Sequence, residues 1–382
     1  MKSVTDYNVV IAQYRLLHYR VELFEILHRL CAEEGITLHL IHGNPSNREL
    51  ARKDVGSISW STPVRNWFLN LKNIDVLWQE TPRRLKSADL FIVMQENRII
   101  SNYFLILSRF FQGKKVAYWG HGINFQSKSP HGLRERWKKF WLTKVSWWFS
   151  YTDLTTGLLE GAGYPKSNIS TLNNAVNTQL LKSQVDAVSD EVVTGLRNEL
   201  GISEKSKVAV FCGSIYPDKK PELLVSASDL VRKSVDDYHL IVIGDGPSAQ
   251  LLHDAAKTRP WLHMVGVQKS SEKAAYYRLA DIMLNPGLLG LHILDAFCLG
   301  MPILSTKNAL HSPEISYLVN GENGLLTDDT PESFSEPIIK LFSDHGFYEK
   351  ISSNALLSSE KYSVETMAAN FMDGIKACLV DS

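Results

Sequence analysis

The chain alternates between two hydrophobic periods. Apolar, β-branched runs of four or five residues lie at Asn8–Ala12, Thr37–Ile41, Leu90–Met94, Lys115–Trp119 and Leu154–Gly157. They return at Val208–Cys212, His239–Ile243, Ile282–Asn285 and Pro302–Ser305. Runs of that length read as buried strands. Between many of them the period is helical: Val21–Cys31 is apolar at positions 21, 23, 24, 27, 30 and 31, and the pattern stops at Gly35. Strands alternating with helices predict parallel sheets covered on both faces, and two such sets predict two doubly wound domains. The polar stretch Asn173–Ser183 is the expected hinge. Ligands of such folds bind outside the carboxyl ends of the strands. The segments that follow each strand are therefore the ones to read for chemistry.

Length and composition narrow the class. A chain of 382 residues implies two domains. With 44% hydrophobic and 21% charged residues it is an ordinary globular sequence, not a disordered, collagen-like or coiled-coil one. No apolar run approaches the roughly 20 residues of a membrane-spanning helix, and Met1–Gln13 does not read as a secretory signal. Four cysteines without a Cys-x-x-Cys pair argue against a disulfide framework or a cysteine zinc site, and point to a reducing, cytoplasmic compartment. The net charge of zero hides an asymmetry. Residues 1–180 hold 23 Lys+Arg and 14 Asp+Glu, and residues 181–382 hold 18 and 27. A basic half joined to an acidic half fits either an anionic partner for the first or mutual attraction of the two.

Three segments of the second half follow strands. Gly213-Ser214-Ile215-Tyr216-Pro217-Asp218-Lys219-Lys220-Pro221 places lysines ahead of a helix, where free backbone N–H groups and the helix dipole attract phosphate. The other reading is an exposed loop with solvated lysines. Gly244-Asp245-Gly246-Pro247 lacks the third glycine of a dinucleotide fingerprint, and reads more readily as a tight turn. The third segment, Asp281–Pro302, enters a Pro-Gly loop and then a helix from about Gly290 to Gly300. Asp295 lies in that helix among apolar neighbours and needs donors. His292 could supply one, or sugar hydroxyls two. The amides of Leu289, Gly290 and Leu291 are placed for an anion.

Taken together, these segments resemble the nucleotide-sugar-binding half of the family 4 retaining glycosyltransferases, which have two facing Rossmann-like domains with a cleft between them (the GT-B fold). The motifs are Gly213–Lys219, Gly244–Pro247, Ala280–Pro302, and Pro313-Glu314-Ile315 followed by Gly321-Glu322-Asn323-Gly324. Trp119-Gly120-His121-Gly122 and Leu172-Asn173-Asn174-Ala175-Val176 extend the resemblance to the first half. It implies an acceptor-binding domain at 1–175, a donor-binding domain at 176–362, and a C-terminal helix at about 363–382 packed back on the first. It implies Lys219 at the donor diphosphate, His121 near the donor sugar and leaving phosphate, Asp295 at the ribose, and the backbone around Val267 at the base. Gly213, Ser214, Leu289, Gly290, Leu291 and Glu314 complete the donor set, and no metal or other cofactor is implied. Three positions depart from the family pattern: Gly287 replaces the first acid of an acid pair, Asp295 shortens the second, and Ser214 replaces an arginine.

In the first half, Gln13–Arg20 and Gln95–Arg98 follow strands, and His18, Arg20, Glu96 and Arg98 are the acceptor candidates. The implied activity is transfer of a sugar to a carbohydrate or lipid-linked glycan in polysaccharide assembly, with no nucleic-acid partner. A nucleotide-sugar epimerase or phosphorylase of the same fold remains open, and Gly287 keeps open a non-catalytic carbohydrate-binding module. Residues 133–149 add a further expectation. Leu133, Trp137, Trp141, Val145 and Trp148 recur at helical spacing beside Arg134, Arg136, Lys138, Lys139 and Lys144, with Glu135 the lone acid. Such a helix either lies on an anionic membrane at its inner face or packs its stripe on the domain's own sheet.

Overall fold

The apolar runs form two parallel sheets, each the centre of its own compact unit. A computed structural model describes residues 7–46, 49, 54–71, 74–122 and 133–381. Unit 1 comprises Met1–Val176 with Ser363–Ser382, and unit 2 comprises Asn177–Tyr362.

Unit 1 runs β1 (Asn8–Gln13), α1 (Val21–Glu33), β2 (Thr37–His42), β3 (Thr62–Pro63), β4 (Asn66–Leu71), β5 (Ile74–Gln79), β6 (Leu90–Met94), α2 (Ile100–Gln112), β7 (Lys115–Gly120), α3 (Leu133–Leu142), β8 (Trp147–Ser150), α4 (Asp153–Gly161) and β9 (Ile169–Thr171). Seven strands form a parallel sheet in the order β3-β2-β1-β6-β7-β8-β9. Its order reverses at β1, where Ile11 faces Leu40 of β2 on one side and Ile92 of β6 on the other. A ligand-binding crevice is expected at that switch point. Strands β4 and β5 form a separate antiparallel hairpin. Val10, Phe91, Val116, Tyr118 and Trp148 are buried in one core cluster.

Two sequence expectations fail here. Leu154–Gly157, expected as a strand, lies inside α4. The β-branched Thr155 and Thr156 suggested extended chain, but Thr152 caps the helix by accepting the Thr155 N–H. The expected helical stripe of 133–149 also breaks. Helix α3 ends at Leu142, Val145 is buried beyond it, and Trp148 is a fully buried residue of β8. Strand β8 opens with two consecutive aromatic residues, Trp147 and Trp148, so one of them meets the helical spacing whatever the conformation. The side chains of Leu133, Arg134, Glu135 and Lys138 lie outside the described residues.

Unit 2 runs α5 (Gln179–Asp186), α6 (Asp190–Leu200), β10 (Lys207–Cys212), α7 (Pro221–Ser234), β11 (Tyr238–Ile243), α8 (Ala249–Ala256), β12 (Leu262–Gly266), α9 (Ser270–Leu279), β13 (Ile282–Leu284), α10 (His292–Cys298), β14 (Ile303–Thr306), β15 (Leu325–Thr327), α11 (Pro331–Ser343) and α12 (His345–Lys361). Its parallel sheet has the order β12-β11-β10-β13-β14-β15. The reversal falls at β10, so the loops after β10 and β13 are neighbours at its switch point. Much of the expected hinge is regular structure, because 179–183 opens α5.

The chain then returns to unit 1 as α13 (Val364–Val380). Phe371 stacks on Phe149 at 4.5 Å and meets Trp119 edge-on at 5.1 Å. A Cβ at Gly374 would lie 2.4 Å from Ser170 Oγ and 2.6 Å from a Phe149 ring carbon, so only glycine lets the helix seat this closely.

Candidate functional site

In unit 2 the loops beyond β10, β11 and β12 are joined by backbone hydrogen bonds. Gly213 N–H donates to Ile243 O at 2.9 Å, Gly244 N–H to Gly266 O at 2.8 Å, and Ile215 N–H to Asp245 O at 2.9 Å. The chains approach so closely that a Cβ on Gly244 would lie 2.0 Å from Gly213 O. Gly244 and Gly246 are therefore packing glycines of a tight turn. The Gly213 loop they support leaves Ser214 exposed.

Lys219 ends a single 3-10 turn, Pro217–Lys219, and Lys220 follows in the left-handed conformation at φ 53°. The side chain of Lys219 is 5% exposed, and its Nζ donates to the carbonyl of Leu288, in the loop after β13. Burial depresses its pKa from 10.5 to about 8. An amine desolvated this far, with a carbonyl and no carboxylate as its hydrogen-bond partner, is suited to an incoming anion. Lys220 is used differently: its Nζ pairs with Asp329 at 2.7 Å and donates to Thr306 Oγ1 at 3.0 Å.

Gly287 explains its own departure from the acid expected there. A Cβ at this position would stand 2.1 Å from Asp218 O and 2.3 Å from Lys219 Cα. The two switch-point loops touch backbone to backbone, and Leu288 N–H donates to Asp218 O at 2.8 Å. No side chain, acidic or otherwise, fits at 287 without moving the turn that carries Lys219.

Asp295 is held by three groups, all on Oδ2: Lys273 Nζ at 3.2 Å, Tyr277 OH at 3.2 Å and His292 Nδ1 at 3.7 Å. Burial alone would raise its pKa, but His292 and Lys273 overcome that and hold the carboxyl below its usual value. It stays ionised, and none of these contacts uses Oδ1. Lys273 and Tyr277 lie on α9, and no sequence signal tied them to Asp295. Helix α10 is shorter than expected, His292–Cys298. Of the three amides proposed ahead of it, Leu289 N–H is already taken. It donates to His311 Nδ1 at 3.1 Å, while His311 Nε2–H donates to Thr306 O at 2.6 Å. Burial depresses the pKa of His311, which suits the neutral ring this arrangement needs. Among the described residues, the amides of Gly290 and Leu291 are not used in this way. Val267 is 75% exposed beyond Gly266, and Glu314 is buried in the turn Pro313–Tyr317.

In unit 1 the switch point is lined by side chains. Arg98 donates to Glu96 Oε2 at 2.7 Å and Glu49 Oε1 at 3.2 Å, and its guanidinium lies 4.4 Å from the Tyr14 ring. Tyr14 OH donates to Glu49 at 3.2 Å, and Arg15 bonds both Tyr14 OH at 2.9 Å and Asp54 at 2.6 Å. Burial opposes the charge of Arg98, but Glu96, Tyr14 and Glu49 more than offset it and raise its pKa. Glu49 and Asp54 reach the site from the segment after β2, which a reading of strand ends alone does not reveal. His18 is exposed, with Nδ1 3.2 Å from Asp54 O. Arg20, an expected acceptor residue, is instead buried. It donates to Asn174 Oδ1 at 2.6 Å and packs against the rings of Trp119 and Tyr151 at 5.3 and 5.5 Å. Its guanidinium holds the interior of unit 1 together. His121 is half-buried and meets the Tyr151 ring edge-on at 4.2 Å, ahead of Gly122, whose φ of 71° requires glycine. Among the described residues no group of three or more His, Cys, Asp or Glu is placed to hold a metal ion.

Comparison with known proteins adds to this geometry. A relative from Acholeplasma laidlawii, alpha-monoglucosyldiacylglycerol synthase, is 27% identical over 186 residues, which cover 47% of this chain and 46% of the relative. D-inositol 3-phosphate glycosyltransferase of Corynebacterium glutamicum is 28% identical over 198 residues, again 47% and 46%. The matched stretch thus spans about half the length of these curated relatives. Among solved structures, Anabaena HepE in complex with UDP superposes with a TM-score of 0.69 at 14% identity, covering 97% of this chain and 100% of that one. That likeness shows the GT-B type of fold, two parallel-sheet α/β units. Residues 193–357, which include Lys219, Gly287 and Asp295, match the family described as glycosyl transferases group 1.

Proposed function

We propose that this chain is a glycosyltransferase that moves a sugar from a nucleoside diphosphate to a carbohydrate or lipid-linked glycan, with retention at the anomeric carbon, as in family 4. The observation that carries the reading is that a desolvated Lys219, in the loop after β10, and an ionised Asp295, on the helix after β13, both lie inside the stretch that matches group 1 glycosyl transferases. In the reaction the bond from the anomeric carbon to the diphosphate oxygen breaks, and the electron pair leaves with the diphosphate. The acceptor hydroxyl oxygen forms the new bond and gives up its proton to the departing diphosphate. Negative charge grows on the leaving oxygen, so groups that stabilise it there lower the barrier. Lys219 is that group, with the amides of Gly290 and Leu291 beside it. Asp295 Oδ1 accepts from ribose hydroxyls, and the exposed backbone around Val267 meets the base. His121 supports the donor sugar. The cluster of Arg98, Glu96 and His18 in unit 1 takes the acceptor.

The name of the Acholeplasma relative, which contains a glucosylated diacylglycerol, supports an acceptor carried on lipid. No described helix is long and apolar enough to cross a membrane. We place the enzyme on the cytoplasmic side, in polysaccharide assembly. The test is a panel of uridine- and guanosine-diphosphate sugars in melting experiments, because a ligand of the native state alone raises stability as RT ln(1 + [L]/Kd). The donor so found should release nucleoside diphosphate only when acceptor is added. Release at equal rates without acceptor would overturn transfer, and binding without any turnover would indicate a carbohydrate-binding module.

A further inference from the structure

Unit 1 carries an aromatic band that none of the residues assigned above requires. On the hairpin, Trp67 and Trp78 face each other across the strands. Trp78 meets Phe104 of α2 at 5.0 Å, and the neighbouring Tyr103 meets Trp137 of α3 at 5.7 Å. Trp137 in turn meets Phe140 at 6.4 Å. These rings form two groups that meet at the consecutive residues Tyr103 and Phe104 of α2, and Trp67, Phe104, Trp137 and Phe140 are each 48–59% exposed. Leu107 and Phe111 extend the same face of α2 at 51% and 83%. Large exposed apolar side chains gathered on one side of α2 and the hairpin are the kind of surface that marks an interaction site.

Beside the band, a cavity of about 720 Å3 opens between α2, strands β6 and β7, and the segment 79–86. That size is in the range of small-molecule pockets, about 300–1,000 Å3. Phe91 and Val116 form its apolar floor, and Trp78 and Phe104 join it to the band. Arg65, Arg83, Lys86 and Lys114 also line it, against the single carboxylate of Glu80, which is engaged by Trp67 Nε1 at 2.8 Å. On α3, Arg136 and Lys139 are exposed as well. The chemistry is amphipathic and cationic: rings that sit at a headgroup boundary, an apolar cavity, and basic groups around both. A second copy of the chain would bring like charges together.

We propose that this face docks on an anionic lipid bilayer and that the cavity takes the phosphate and the start of one acyl chain of a lipid drawn from it. The surface differs from the stripe expected at 133–149. It is built chiefly by α2 and the β4–β5 hairpin, and only Trp137, Phe140 and the basic residues of α3 are shared. The proposal does not depend on the reaction, and its readout is binding.

Full-length protein is sedimented with vesicles of phosphatidylglycerol and phosphatidylcholine in equal parts, and with pure phosphatidylcholine vesicles. Binding to the first, weakened by salt, and little to the second is expected. Phe104→Glu/Phe111→Glu and, separately, Lys86→Glu/Lys114→Glu should each weaken it about tenfold or more while melting and donor binding stay as in wild type. For the cavity, dihexanoyl phosphatidylglycerol should raise the melting temperature of wild type and not of Ser108→Trp, which fills the space. Equal binding to both vesicle types, or undiminished binding by both double variants, overturns the docking surface. So does a lipid-free dimer that Phe104→Glu/Phe111→Glu dissociates. An equal melting shift in Ser108→Trp overturns the cavity.

Discussion

The strand ends of the two units solve the same placement problem with different materials. In unit 2 the loops after β10, β11 and β13 are made of glycine and backbone, packed so closely that Gly244, Gly246 and Gly287 admit no Cβ. The charged groups that matter there are fixed: Lys219 on the Leu288 carbonyl, Asp295 on the donors Lys273 and Tyr277. In unit 1 the loops after β1, β2 and β6 are made of long side chains that bond one another, Tyr14, Arg15, Glu49, Asp54, Glu96 and Arg98. Backbone cannot repack without unfolding the loop, whereas paired side chains can exchange a partner for a ligand. The first arrangement suits a ligand whose invariant part is a nucleoside diphosphate. The second suits hydroxyl-rich ligands whose shape changes from one relative to another.

The comparison breaks first at Lys219. On the role proposed for Lys219, Lys219→Met should lower turnover about 10²–10³-fold in a donor-release assay. The same variant should be more stable without donor. The folded-state pKa of about 8 lies below 10.5, so the buried charge costs stability below pH 8, on the order of 3 kcal/mol. That cost disappears as pH rises from about 8 toward 10.5. The gain in melting temperature of Lys219→Met should therefore be full at pH 7 and shrink by pH 10. Donor affinity of the wild type should decline above about pH 8, where Nζ loses its proton.

Gly287→Ala comes next. One methyl group must displace the backbone of Asp218 and Lys219, so turnover should drop about 10²-fold, as for a misplaced catalytic group. Gly290→Ala, whose Cβ would meet the side chain of Ser312, its Oγ at 3.2 Å and its Cβ at 3.5 Å, should lose far less. Equal losses would show that the closeness of the loops is not what matters. Asp295→Asn keeps the shape but weakens acceptance from the ribose. Titration calorimetry should show about tenfold weaker donor binding, since hydrogen bonds to charged groups contribute about 1.5–3 kcal/mol. The smallest effect is expected in unit 1. Arg98→Gln should raise the acceptor KM a few-fold and leave donor affinity unchanged, because neighbouring side chains can take over. A change in donor affinity would mean that the two loop sets are not divided between ligands as argued.

Strands β1, β2, β6, β7, β10, β11, β13 and β14, and with them the two parallel sheets, were legible in the sequence because buried strands and amphipathic helices differ in period, whereas Leu154–Gly157 proved helical and the shorter or edge strands gave no such run. Gly213, Lys219 and Asp295 were legible because each follows a strand. What surrounds them was not. Lys273 and Tyr277 reach Asp295 from a helix 18–22 positions away, and Glu49 and Asp54 reach Arg98 and Arg15 through the fold of a loop. Trp137, Trp141, Val145 and Trp148 keep helical spacing straight across the end of α3, so that end could not be read from them. Arg20 looked like a ligand group because it follows a strand, yet its partner Asn174 lies 154 positions on. Gly287 looked like a lost acid, and only the backbone beside it shows why a side chain is excluded.

Helix α13 gives unit 1 a history as well as a shape. Its last layer is encoded after the whole of unit 2, so a ribosome reaches it roughly 10–40 s after finishing β9, at about 5–20 residues per second. During that interval Phe149 and Trp119 have no Phe371 to cover them, while unit 2 already has every residue it needs. Unit 2 therefore completes first, and the nascent first sheet waits with an uncovered aromatic face. A stop codon at position 363 would leave that exposure permanent and deliver a chain whose second unit is native and whose first aggregates.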